Sequence, residues 1–395
     1  MQKCFRLTLF AAALLTSMMG PIAAQEAVPA ARTLTAWKKA KVKPVALDQE
    51  RHSIHSYFNT SPESPDGRWV VYYTSAATDG HEGDIRIRER ATGKEKILAT
   101  GITTEDAHHP ACQQWISGGQ RVVFHNVRNG KWMVVSTDIN TLEQRVVAVD
   151  RQLSWGQPTG DLVPLYGPHW DPAAYRDLEL VNVRTGERQT AVTATAVKAK
   201  YPEQVKKLFG DKPFSIFFPI LSPNSERVIF KLASPMGGDF RSKQASTRDG
   251  LIGYDLKESK FLFFQESWGH PAWHPDSRQI INVGIVIDSS TGLSERISDL
   301  PRFRGSHPAV SPGGQIFSTD TILEDFGGTE QEWGVVVADL RGGAYEFLHR
   351  FDNSKGATSW RRSHPHPVFS ADGKRVYFNV NAGRWTQLHV AEQPD

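Results

Sequence analysis

A short turn phrase recurs along the chain, each time followed by a β-rich run, and this repetition limits the possible folds more than any other feature. It reads Ser64-Pro65-Asp66-Gly67, Ser117-Gly118-Gly119, Ser222-Pro223-Asn224-Ser225, His274-Pro275-Asp276-Ser277, Ser311-Pro312-Gly313-Gly314 and Ser370-Ala371-Asp372-Gly373. The turn residues are those that reverse two strands. The runs behind them, such as Arg68–Ser75 and Lys374–Asn381, are β-branched and aromatic, as strands prefer. After most copies come a further strand, a charged turn and a last strand, as in 84–98, 132–147, 251–264 and 334–348. The stretch 152–192 carries the same closing pair behind a decayed turn phrase. Six clear copies and this one predict seven four-stranded units at a period of about 40–50 residues. That is an all-β, seven-bladed β-propeller of four-stranded blades. The period is too short for stacked β-sandwich domains. Residues 196–210 read as one short helix inserted between blades.

The first residues read as an export signal. Lys3 and Arg6 precede an apolar run from Leu7 to Met19, and small residues lead to a cleavage point after Ala24. The run is shorter than the roughly 20 residues a membrane span needs. The expected organisation is a signal peptide over 1–24, a leader over 25–49 and the propeller over 50–395, with a periplasmic or secreted address. Cys4 leaves with the signal, and Cys112, then alone, reads as a small buried apolar residue. A net charge of +3 implies neither a nucleic-acid nor a membrane surface.

The histidines carry the chemistry. His270, His307 and His366 each stand six residues before the third residue of a turn phrase, and each is followed by Pro. The matched position elsewhere holds Thr60, Cys112 and Phe218, so the fold does not demand histidine there. That position begins the innermost strand of a blade, and equivalent positions ring the central channel, so these three should converge. His364 lies two residues before His366, on the same face of an expected strand. With His307 the pair offers three imidazoles and leaves positions open, as in a catalytic metal site. His108, His109 and His169 lie off the matched phase; the first two precede Cys112-Gln113-Gln114-Trp115 at the entry of the second blade and are candidates for ligand contact. Trp155, Tyr166, Trp170 and Trp268 are candidates either for sugar stacking or for packing between blades. Arg302, Arg304, Arg361, Arg362 and Arg384 form a basic group suited to carboxylates.

Three phrases, Ser363-His364-Pro365-His366-Pro367, Trp268-Gly269-His270 running to Pro275-Asp276, and His307 ahead of its turn, resemble oligogalacturonate lyases. The likeness runs over most of 50–392 and is strongest in the last three blades. Members of that family are seven-bladed propellers that cleave uronate oligosaccharides by β-elimination. They hold manganese on three histidines and a glutamine, and a further histidine is the base. The resemblance implies that His307, His364 and His366 are metal ligands and that His270 is the base. It implies Arg248 as the assisting arginine, with Arg241 as fallback, and an acidic oligosaccharide as partner. The family glutamine's place, three residues before His364, holds Arg361, which cannot ligate a cation. Arg361 and Arg362 are instead expected to grip a substrate carboxylate, alongside His109 and Trp268. Two other readings stand beside this one. A non-catalytic scaffold resembling the periplasmic Tol-system propeller shares the turn phrases. A hydrolase would need a carboxylate pair or a Ser-His arrangement at the channel, and no Asp or Glu is phased there.

Overall fold

A computed structural model describes residues 30–168, 170 and 177–394. The export signal and His169 therefore lie outside the described residues. Seven four-stranded antiparallel sheets follow one another along the chain. Blades 1 to 6 span 52–103, 114–149, 152–192, 215–265, 272–296 and 309–352. The expected unit at 152–192 is the third blade. In the seventh, strands Val368–Phe369, Arg375–Val380 and Gln387–Glu392 are completed by strand Lys41–Pro44 from near the N-terminus.

This closure moves one boundary. The propeller begins at Lys41 rather than at residue 50, because 41–44 pairs antiparallel with 389–392 and covers what would be an open edge. Helix Ala30–Trp37 belongs to the fold as well. Leu34 and Trp37 are buried in one apolar cluster with Ile316 and Val335 of blade 6 and Phe369 and Phe378 of blade 7. The Trp37 ring meets Phe369 edge-on at 5.9 Å. Trp37→Ala should therefore cost about 3–5 kcal/mol and lower the urea midpoint with little change in slope. A midpoint within error of the parent would show that the helix does not hold the blades together.

The turn phrase works through its leading serine. The Ser64 hydroxyl accepts from the Trp69 N–H at 2.9 Å, that of Ser222 from Arg227 at 3.0 Å and that of Ser370 from Arg375 at 3.1 Å. The fourth position is left-handed, with φ +72° at Gly67 and +72° at Gly373, and +58° where Ser225 replaces glycine. Second strands such as Trp69–Ser75 are buried along their whole length, since neighbouring blades cover both faces. Where one helix was expected over 196–210 there are two, Ala194–Lys200 and Pro202–Phe209, divided where Pro202 opens the second.

At the centre, Tyr57 and Phe58 fill the channel. The Tyr57 ring stacks on Trp155 at 5.5 Å, and Tyr57 also touches Phe218 and His366. Among the described residues no helix is long and apolar enough to cross a membrane.

Candidate metal centre and cationic bowl

Each site histidine sits in a connection between the last strand of one blade and the first strand of the next. His108 lies between Glu95–Thr103 and Gln114–Ile116, and His270 between Lys260–Gln265 and Ala272–Trp273. His307 lies between Ser294–Arg296 and Ala309–Val310, and His364 and His366 precede Val368–Phe369. Such connections emerge on one face of a propeller, so the rings converge there. Left-handed residues set their final aim: Gly269 (φ +62°) before His270, Ser306 (+73°) before His307, and His366 itself (+47°).

His108, His307, His364 and His366 each bring a ring nitrogen within 4.8 Å of the others. The His108 and His366 ring centres are 4.3 Å apart, those of His307 and His366 4.5 Å and those of His307 and His364 5.2 Å. The three expected ligands therefore meet, and His108 joins them. His364 and His366 do not meet as neighbours on one strand face, as expected. They lie ahead of the strand, and the left-handed turn at His366 brings the rings together. The phase of the repeat missed His108 because it stands four residues before the matched position held by Cys112; only its place at the mouth of a blade pointed to it. Cys112 itself is buried, as expected.

The free nitrogens show what the cluster suits. His307 bonds through Nδ1 to Asp320 Oδ2 at 2.8 Å, and His108 through Nδ1 to the Arg362 carbonyl at 3.0 Å. Outer partners of this kind fix the tautomer and turn the other nitrogen inward. His108 Nε2, His364 Nδ1 and both nitrogens of His366 are buried and have no hydrogen-bond partner. Orphaned buried nitrogens are costly unless something accepts their lone pairs. Burial pushes His307 and His364 down to about 3 and holds His108 and His366 well below the usual imidazole value, with the positive charge of Arg361 acting in the same direction. All four rings are thus neutral at neutral pH, the form that binds a cation. Burial pushes Asp320 up to about 7. The donor set fits a divalent first-row metal ion.

Beside the cluster opens a bowl of about 410 Å³ lined by Lys231, Lys243, Arg248, Trp268, His270 and Arg361. The His270 ring lies 4.7 Å from that of His307. Its ring is held neutral chiefly by burial, with the nearby basic groups His307, Lys231 and Arg361 acting in the same direction. Arg248 faces the bowl with one guanidinium nitrogen 3.4 Å from Glu105. Lys231 was not anticipated, although a lysine inside the apolar strand Arg227–Pro235 was a visible signal. Its ammonium rests over Trp268 at 4.8 Å and Phe217 at 5.1 Å. Burial and the Arg248 and Arg361 charges hold it well below the ordinary lysine value.

Arg362 does not line the bowl: its side chain is exposed and donates to the Ser354 carbonyl at 2.7 Å, while only its own carbonyl serves the cluster. His109 does not line it either. It is buried below, 3.4 Å from Asp106 and edge-on to Tyr57, because the backbone turns His108 inward instead. The fallback Arg241 binds the Thr104 carbonyl. Trp155 and Tyr166 are fully buried and pack the channel, whereas Trp268 forms a wall of the bowl.

Buried neutral histidines make the fold sensitive to acid. His52, His55 and His125 are lowered to about 4, and His307 and His364 to about 3, mainly by burial. Below about pH 6.5 the unfolded chain takes up protons that the folded chain refuses. Stability should be full above that pH and fall as pH drops, by about 1.4 kcal/mol per pH unit for each such group. Urea midpoints at pH 7.5 and 5.5 test this: the metal-free protein should lose several kcal/mol, and equal midpoints would contradict it.

The fold and the cluster define a class: a seven-bladed propeller with a four-histidine centre on one face, beside a cationic bowl. No protein-family model matches the chain, and no curated protein matches its sequence. Among solved structures, an oligogalacturonate lyase in complex with manganese is similar with a TM-score of 0.63 at 15% identity, over 90% of this chain and 94% of that one. The oligogalacturonate lyase of Vibrio parahaemolyticus is similar with a TM-score of 0.61 at 14% identity, over 90% and 94%. A prolyl endopeptidase structure reaches 0.51 at 11% identity, over 93% of this chain but 52% of that one. The chain thus shares the seven-bladed fold of the oligogalacturonate lyases over most of its length.

Proposed function

We propose that this protein is a lyase that cleaves uronate-containing oligosaccharides by β-elimination. The observation that carries this reading is the placement of His270 in a bowl of four basic side chains, directly beside four clustered imidazoles, three of which have buried, unpartnered nitrogens. Two solved neighbours being oligogalacturonate lyases, one with manganese, supports it.

The reaction removes the proton on C5, next to the uronate carboxylate. The C–H electron pair becomes the C4=C5 double bond, and the glycosidic C4–O bond breaks, its oxygen leaving with a proton from solvent. The carboxylate already carries charge, so its α-proton leaves only if more negative charge is stabilised there. A divalent ion on the four imidazoles, manganese by likeness, supplies that positive charge when bound. Arg361 and Arg248 offer planar guanidinium forks to the carboxylate, and Lys231, buried in the wall of the bowl, adds a point charge when protonated. His270, neutral in the free site, accepts the C5 proton. The entering carboxylate offsets the surrounding positive charge, which raises the basicity of His270 when it is needed. A scaffold has no use for such a centre. The same reading proposes export, and a mature N-terminus at Gln25 would support it.

The test is ultraviolet absorbance of the unsaturated product. The purified protein would be mixed with oligogalacturonates and with glucuronate- and iduronate-containing oligosaccharides, with and without Mn²⁺ and with EDTA. A rise abolished by EDTA is expected. A rise indifferent to EDTA would transfer charge neutralisation to Arg361, and a flat trace on every substrate would overturn the lyase reading in favour of a binding scaffold.

A further inference from the structure

The bowl does not end at His270. Ser267, Gly269 and His270 also line a second cavity of about 300 Å³. That cavity in turn shares Val283, Ile285 and Ser306 with a third of about 480 Å³, which reaches Arg296 and Arg302. The three together form a trough running outward over blade 5, and each is of the size of a small-molecule site.

Blade 5 is built to leave this space. Its second and third strands, Gln279–Asn282 and Ile285–Asp288, are four residues each and are joined on the site face by only Val283 and Gly284. In blade 4 the matching strands Arg227–Pro235 and Ser246–Asp255 are far longer and are joined by 236–245. In blade 6, Ile316–Ile322 and Glu332–Asp339 are joined by 323–331. The neighbouring blades therefore rise on both sides of a lowered one. From the blade 4 side come Lys243 and Ser246. On the blade 6 side, Phe326 stacks on Phe303 at 6.1 Å and braces the far wall.

The far end is basic and unsatisfied. Arg296 and Arg302 are exposed and face one carboxylate, Glu295, and among the described residues neither guanidinium has a hydrogen bond or ion pair. Arg304, close in sequence, is instead tied to Glu324. We propose that the trough over blade 5 is an extended subsite that holds further uronate units of the chain being cleaved, with their carboxylates at Arg296 and Arg302. The proposal rests on the lyase reading and adds to it a preference for substrates longer than a disaccharide.

Binding to the His270→Ala variant, which separates recognition from turnover, tests it. Calorimetry at low ionic strength would compare oligogalacturonates and glucuronate oligomers of two, four and six units. Affinity should rise about tenfold from two to four or six units, be largely erased by 0.5 M salt, and return to the disaccharide value in Arg296→Ala/Arg302→Ala, with disaccharide affinity unchanged. Length-independent affinity, or a double variant that keeps the gain, would overturn the subsite while leaving the lyase reading intact. Failure of every oligomer to bind would overturn both.

Discussion

Replacing His366 with alanine should abolish stoichiometric binding of a divalent metal, lowering affinity by at least ~100-fold, more than the loss of an outer partner typically causes. His366 is fully buried, its ring centre lies within 4.5 Å of those of both His108 and His307, and neither of its nitrogens has another partner. The effect should fall on the metal-loaded protein. Without metal, the variant gives up two orphaned polar atoms as well as packing, so its stability should stay close to that of the metal-free parent. With metal, the parent gains stability by mass action and the variant does not. Metal content by mass spectrometry and melting curves with and without Mn²⁺ check both halves. Asp320→Asn should act more mildly, costing about 10–100-fold in affinity, because it removes no imidazole and disturbs chiefly the orientation of His307. Parent-like metal content in His366→Ala would remove the four-histidine centre.

The second large effect concerns His270. His270→Ala should lower kcat by about 10²–10⁴-fold, the range for loss of a general base, while leaving metal content unchanged, since His270 stands outside the group of four. Lys231→Ala should instead raise KM more than it lowers kcat if Lys231 acts on the substrate carboxylate. Lys231 is also the other group in the bowl whose proton is held loosely, by burial and by the neighbouring arginines. A His270→Ala enzyme with near-parent kcat, paired with an inactive Lys231→Ala enzyme, would therefore reassign the base to the lysine.

The correct and incorrect readings of the sequence divide by how local their causes are. Blade number was legible because most blades carry a local reversal, clearest where a serine accepts from the N–H five residues on and the fourth position takes a left-handed turn, as at Ser64, Ser222 and Ser370. Those interactions close within six residues, so they leave a periodic trace. The convergence of His270, His307 and His366 was legible for the same reason, since equal phase in a radial repeat means equal radius. His364 comes close to His366 not by strand alternation but through a left-handed residue, which no pattern of side-chain types announces.

The seven-fold repeat, the matched histidines and the presence of arginines suited to an anion can all be read along the chain, because each is a local or periodic pattern. The tertiary structure alone decided that Lys41–Pro44 closes the last blade, that His108 rather than His109 turns inward, that Arg361 faces the bowl while Arg362 faces away, and that the short strands of blade 5 open a trough. Each of these depends on contacts between residues far apart in the chain. Lys41 meets Glu392 and His108 meets His364 only after all seven blades have closed the ring, and neither residue carries a local signal of that partner.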